Sequence, residues 1–478
     1  MPLVVPPEVD AGRLPWPPGH LSPGQPHLSR SWALTLLFGG LFFWWYLGLS
    51  GVVQFMFAVP LILSLVQRGR VSMPRWYGLW LLFLAFMFAS VLQLLAFPSQ
   101  DQTTNLLSWG WRMTLYVAST VLFLYVYSTP REQLPAKRLI NILAGFWVLT
   151  VTGGLMAMAL PNRTFNSLME KVTPHHFLSN AFVKALVVPG TTGGKTFPGL
   201  GIYRVKAPFI YTNQWGSAFA LTLPFAFAVV SETRNKLYRT VFLGLLVLGI
   251  VPLVFSLDRG SWLSSAVASV YGILRMAVGG SGRTRRMARA ARSLLVAGVL
   301  VGAIVLISPL GHDILTRTQN GYGDTHRALL YTSSLTLAVR SPILGYASPV
   351  SLNVLDPGAP PGPSVGTHGT LWTVIVSNGM PALFFFGMWF LYALLKTYRR
   401  LPAMADINGE AYFWCHVCIL AAVVQLPYYE LLPWGLPIVM IAMAVAFRER
   451  AYVQRLRRGR SATGRPGVGT ARSLAPTG

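Results

Sequence analysis

The chain has 478 residues, 53% of them hydrophobic and only 11% charged, with a mean hydropathy of +0.51. A soluble domain carries roughly 25% charged residues, so this composition excludes an ordinary soluble enzyme and reads as a polytopic membrane protein. The formal net charge of +25 would suit a nucleic-acid binder, but a basic excess placed in short loops between apolar spans is the signature of membrane orientation. No nucleic-acid partner is expected.

Residues 1–30 hold eight prolines, which rules out a helix, and lack the basic start and apolar middle of a cleavable signal. They read as a disordered cytoplasmic tail. Apolar runs follow at about 32–48, 50–66, 74–97, 111–128, 139–160, 208–230, 238–256, 261–278, 293–308, 370–395, 411–428 and 432–447. Several fall short of the roughly 20 residues that cross a ~30 Å core, so the first two and the last two read as tight hairpins or re-entrant segments. The expected fold is all-α: a transmembrane helical bundle of about 12 spans with a large exterior loop containing short helices. Spans 1–9 occupy 31–308 with an exterior loop at about 161–207, the large exterior loop is 309–369, spans 10–12 occupy 370–447, and 448–478 is a basic disordered cytoplasmic tail.

Lys and Arg fall in alternate loops: Arg68, Arg70 and Arg75; Arg131, Lys137 and Arg138; Arg234, Lys236 and Arg239; Arg275 through Arg292; Lys396, Arg399 and Arg400; and the tail from Arg448. This positive-inside bias puts both termini in the cytoplasm and the segments 161–207 and 309–369 outside. Cys415 and Cys418 lie inside an apolar run without the polar neighbours that metal or redox chemistry needs, and read as inert buried thiols.

The basic residues left on the exterior are those the orientation rule does not explain. Arg204, Arg259 and Arg327 sit in apolar context or tight against a span. A guanidinium at mid-span costs ~2.5–3.5 kcal/mol on insertion scales and less near the interface, so each calls for a partner. For Arg259 that is Asp258 or lipid headgroups, for Arg204 a headgroup, and for Arg327 the solvated face of a surface helix marked by Leu329, Leu330, Leu335, Leu337 and Val339. A Ser-Pro-Ile-Leu-Gly turn and a Gly/Pro-rich stretch then lead to His368, which read alone is a structural histidine. Taken together, forked donors and an imidazole on one face suit a phosphate-rich substrate and a general base. At this depth a polyprenyl diphosphate-linked sugar fits: Arg204 and Arg259 neutralise the leaving diphosphate, and His368 takes a proton from an attacking hydroxyl.

Four motifs carry a family resemblance. They are R-x-x-A-P-F-x-Y-T-N at 204–213, S-x-D-R-G-S-W at 256–262, H-R-A-L-L-Y with R-S-P-I-L-G-Y across 326–346, and T-H-G-T-L-W-x-x-x-x-x-N-G at 367–379. In their order and spacing the chain, over about 140–395, resembles the bacterial O-antigen ligase and polymerase superfamily. The resemblance implies a metal-independent glycosyltransferase without a cofactor, in the bacterial cytoplasmic membrane. Such an enzyme moves a glycan from a polyprenyl diphosphate carrier to a glycan or glycolipid acceptor at the outer face. It also implies that Arg204, Arg259 and Arg327 hold the diphosphate and that His368 activates the acceptor. The chain departs from the family pattern at Gly369, where many members have asparagine, at Gly345-Tyr346-Ala347, and at Asp258 inside the serine-arginine pair.

Rival chemistries lack their residues. There is no Asp-x-Asp for a metal-bound sugar nucleotide, and the acids Asp101, Glu170, Asp258, Asp313, Asp324, Asp356 and Glu430 show no ligand spacing. The first exterior turn, Leu49–Gly51, is too short for an acidic base of a lipid-phosphate-sugar transferase. A polysaccharide polymerase of the same superfamily and a polyprenyl-glycan transporter or flippase remain the alternatives, the latter without any internal repeat relating the two halves.

Overall fold

The computed structural model describes residues 30–96, 102–197, 202–279, 324–351, 364–365, 369–399 and 409–463. Over them the protein is mostly helical. A first group of helices comprises α1 (Trp32–Gly39), α2 (Leu41–Tyr46), α3 (Val53–Gln67), α4 (Gly78–Ala89), α5 (Leu92–Ala96), α6 (Gln102–Ser128) and α7 (Ala136–Ala159). Three short helices, α8 (Leu168–Val172), α9 (His175–Leu178) and α10 (Ala181–Val187), and the ribbon β1 (Thr192–Phe197) with β2 (Ile202–Val205) occupy the first long connection. Then come α11 (Thr212–Glu232), α12 (Lys236–Leu248), α13 (Ile250–Phe255), α14 (Arg259–Gly279) and α15 (Asp324–Arg340). A small ribbon, β3 (Val350–Ser351) with β4 (Ser364–Val365), precedes α16 (Thr370–Tyr398), α17 (Gly409–Gln425) and α18 (Gly435–Thr463).

Five helical stretches among the described residues are long and apolar enough to cross a membrane: Gly78–Leu95, Ala136–Ala159, Thr212–Glu232, Lys236–Phe255 and Thr370–Tyr398. Val53–Gln67 and Gly409–Gln425 are apolar but shorter. The run at 293–308 and the chain ends at 1–29 and 464–478 lie outside the described residues. Toward the C-terminus α18 continues to Thr463, beyond Arg448 where the sequence reading ends the last span. Its Arg, Gln and Ala residues propagate a helix well once a buried segment has nucleated it.

Helix α11 is buried on nearly every face and packs against α7, α14 and α17, so it is the centre of the bundle. Its Trp215 donates to the Thr150 carbonyl of α7 at 2.9 Å, and its Ser217 donates to Gln425 Oε1 of α17 at 2.6 Å. Gln425 in turn donates to Ser264 of α14 at 3.0 Å. Peripheral helices instead present apolar side chains outward, such as Leu81, Leu82 and Phe88 of α4 and Val241, Val247 and Leu248 of α12. Such rows are what a lipid-facing surface requires.

Five of the basic groups that the sequence reading puts on one side, Arg68, Arg131, Arg138, Arg275 and Arg448, bond at helix ends and connections of the bundle. Arg68 donates to Thr129 Oγ1 at 2.7 Å, Arg138 to Ser31 Oγ at 2.5 Å, and Arg275 to the Tyr398 carbonyl at 3.1 Å. Arg448 donates to the carbonyls of Val126, Thr129 and Leu134, and Arg131 pairs with Glu449 at 3.2 Å. Arg448 thus takes up the Val126 carbonyl in the last turn of α6, where helix carbonyls lack intrahelical partners, and ties it to the connection that follows. Cys415 and Cys418 are buried and free in α17.

Helix α16 is broken at Gly379 (φ 84°, ψ 175°), two residues before Pro381. Pro381 has no N–H for the Ser377 carbonyl, and the Met380 N–H turns away to the Pro342 carbonyl at 2.7 Å. The carbonyls of Val376 and Ser377 are taken up by the N–H groups of Tyr346 and Ala347, at 2.9 and 2.7 Å. The R-S-P-I-L-G-Y motif is therefore the plug of the N-G break, and the backbone accounting closes. A Cβ on Gly379 would stand 2.3 Å from the Ile343 carbonyl oxygen, in a conformation that costs an L-residue on the order of 1–3 kcal/mol. Gly379→Ala should lower thermal stability in detergent by at least that strain; an unchanged melting temperature would refute the account.

Candidate functional site

At one end of the bundle, the quoted motifs meet. Arg204, on β2, donates from Nε to the Ser256 carbonyl at 2.9 Å, which joins the first motif to the second. Between α13 and α14 the backbone passes through Leu257 with φ 51°, a left-handed conformation that costs a non-glycine residue roughly 1–2 kcal/mol. Here it turns the chain so that α14 starts at Arg259. The Arg259 side chain is exposed, while Asp258 beside it is buried. Lys206, two residues after Arg204, is half-buried, and desolvation holds its amine below the usual lysine range.

The segment 426–431 between α17 and α18 reaches both the second and the fourth motif. The Tyr429 hydroxyl donates to Asp258 Oδ1 and accepts from the Ser261 N–H at 2.9 Å. Burial, followed by the charge of Asp258, pushes the phenol well above its usual range, so it stays protonated and donates. On the other side, Thr370 N and Oγ1 both donate to the Tyr429 carbonyl at 2.8 Å, and Trp372 Nε1 donates to the Pro427 carbonyl at 3.1 Å. The third motif joins through Tyr331 of α15, whose ring stacks on Trp372 with centroids 4.6 Å apart. Arg327 is one turn before Tyr331 on α15; its side chain, and all of His368, lie outside the described residues. Gly369, the next residue after His368, sits against the Pro427 carbonyl.

Three residues that the motif reading did not single out lie close by. Arg112 of α6 is buried and donates to Ser377 Oγ of α16 at 3.3 Å. Glu430 accepts from Thr373 Oγ1 at 2.5 Å, and its carboxyl is held above the usual range by burial, which the Arg112 charge and the Thr373 hydrogen bond only partly offset. Tyr116 lies one turn from Arg112 on α6. Arg112 Nε, Glu430 Oε1 and the Tyr116 hydroxyl are buried without a hydrogen-bond partner among the described residues. The available signal was Arg112 itself, an arginine inside an apolar run, which in a membrane helix marks a functional candidate by default. Its partner Glu430 is 318 positions away in sequence, so spacing could not reveal it.

Among the described residues there is no group of three or more His, Cys, Asp or Glu placed to hold a metal ion. No protein-family model and no curated protein matches the chain.

Proposed function

We propose that this protein is a membrane glycosyltransferase of the O-antigen ligase type, in the bacterial cytoplasmic membrane with both termini cytoplasmic and about 12 spans. It takes its glycan from a polyprenyl diphosphate carrier. In this reading the acceptor oxygen forms a bond to the anomeric carbon while the bond from that carbon to the carrier phosphate breaks. The proton passes to His368, and the diphosphate leaves against Arg204, Arg259 and Arg327, whose forked donors match its oxygens. The observation that carries the reading is the hydrogen bond from Arg204 to Ser256. It draws two arginine motifs, 55 positions apart, to the same end of the bundle. A diphosphate needs such paired cations beside hydrocarbon, where the polyprenyl tail lies. A polymerase of the same superfamily would use the same donor groups and differ in its acceptor.

The test is to give the purified protein a polyprenyl diphosphate-linked glycan, with and without candidate acceptors, and to follow free polyprenyl diphosphate. Acceptor-dependent release that persists in chelator is expected. Absence of release with every acceptor, or loss in chelator with rescue by Mg²⁺, would overturn the reading. Arg259→Lys keeps the charge but loses the bidentate fork. Transfer should drop roughly tenfold or more, the worth of one charge-assisted hydrogen bond, at an unchanged protein level in the membrane. Wild-type transfer by this variant would return Arg259 to a headgroup contact.

A further inference from the structure

We propose that Tyr429 is a positioning residue for Arg259, and that the segment 426–431 sets the spacing between the start of α14 and the start of α16. The proposal rests on the diphosphate reading for what Arg259 does, but not for how Arg259 is held.

The first N–H groups of a helix have no partner within it, and Arg259 opens α14. Asp258, immediately before the helix, would ordinarily cap these donors with its own carboxylate. Here the Tyr429 hydroxyl stands in that place, accepting from the N–H of Ser261 and bonded also to the backbone of Gly260. It donates its own proton to Asp258. One phenol oxygen from a distant loop therefore fixes the residues on both sides of Arg259, whose own side chain is exposed.

The same segment explains two glycines. A Cβ on Gly260 would lie 2.6 Å from the Tyr429 hydroxyl oxygen and 2.7 Å from its ring carbons. A Cβ on Gly369 would lie 2.3 Å from the Pro427 carbonyl oxygen, and Gly369 has φ 133°. The glycine after Arg259 and the glycine after His368 are thus the two faces on which 427–429 bears, and the Thr370 bonds to the Tyr429 carbonyl lock the second face. An arginine on four single bonds holds a diphosphate well only if its backbone is fixed.

The experiment uses the full chain in detergent, comparing Tyr429→Phe with wild type by two readouts. Amide hydrogen exchange at Gly260 and Ser261 should accelerate at least tenfold, since one hydrogen bond that closes these amides is gone. Binding of polyprenyl diphosphate without a glycan should weaken roughly tenfold. Combined with Arg259→Ala, Tyr429→Phe should cost little further binding, because the two residues act as one unit. Gly260→Ala presses on the same contact from the other side and should reproduce both effects; it takes over as the test if Tyr429→Phe does not accumulate. Unchanged exchange, unchanged binding or fully additive losses would each overturn the proposal. A wild-type protein that binds no polyprenyl diphosphate would sink the functional reading instead, with the exchange measurement still deciding whether Tyr429 positions Arg259.

Discussion

Replacing His368 with alanine is expected to lower glycan transfer by a factor on the order of 10² to 10⁴, the usual contribution of a general base, while polyprenyl diphosphate binding survives. The separation follows from the division of labour: arginines meet the charge of the donor, whereas the imidazole meets only the acceptor proton. Wild-type transfer should also rise from acid toward neutral pH, because only the neutral imidazole accepts a proton, and that limb should vanish in His368→Ala. Two measurements on one variant, donor affinity and transfer rate across pH 5 to 9, decide the matter. Loss of both would make His368 a phosphate ligand or a structural residue, and wild-type transfer would remove it from the chemistry.

Glu430→Ala is expected to cost about 3 kcal/mol of stability, the lower end of the range for stranding a buried charge. Arg112 is buried, its one hydrogen bond to a described residue is the 3.3 Å contact with Ser377, and Glu430 is the acid whose carboxylate interacts with its charge. The reverse variant, Arg112→Met, should behave differently with pH. Burial already raises the Glu430 carboxyl, and Arg112 opposes that shift; without Arg112 the carboxyl rises further. A carboxyl whose folded pKa exceeds its unfolded one stabilises fully below the unfolded value and loses that contribution as pH rises through the folded value. Arg112→Met should therefore fall away from wild type on going from acid to neutral pH, whereas the deficit of Glu430→Ala should not grow in that direction, because wild type itself loses the contribution of its raised carboxyl there. The double variant Arg112→Met with Glu430→Gln should recover most of the loss, as an uncharged replacement of a buried pair commonly does. Parallel pH profiles for the two single variants would show that the charges do not act on each other.

The candidate site was legible in sequence only where its chemistry is local. An arginine beside an apolar run is conspicuous in a single window, so Arg204 and Arg259 stand out before any tertiary contact is known. Arg112 stood in such a window too, yet its meaning depends on Glu430, which no local pattern connects to it. Tyr429 carried no signal at all, since a tyrosine near the end of an apolar span is a common interfacial residue.

By itself, the sequence determined the membrane character and the helical class, because burying a backbone in hydrocarbon leaves few alternatives to the helix. It also determined the alternation of basic loops, a composition effect that needs no contacts. Tertiary structure alone decided that 426–431 reaches both Arg259 and Gly369, and that 341–347 fills the break in α16. These are pairings between segments far apart in the chain. They are fixed by which unpaired backbone groups and carboxylates come face to face once the helices pack, and a one-dimensional pattern does not contain that information.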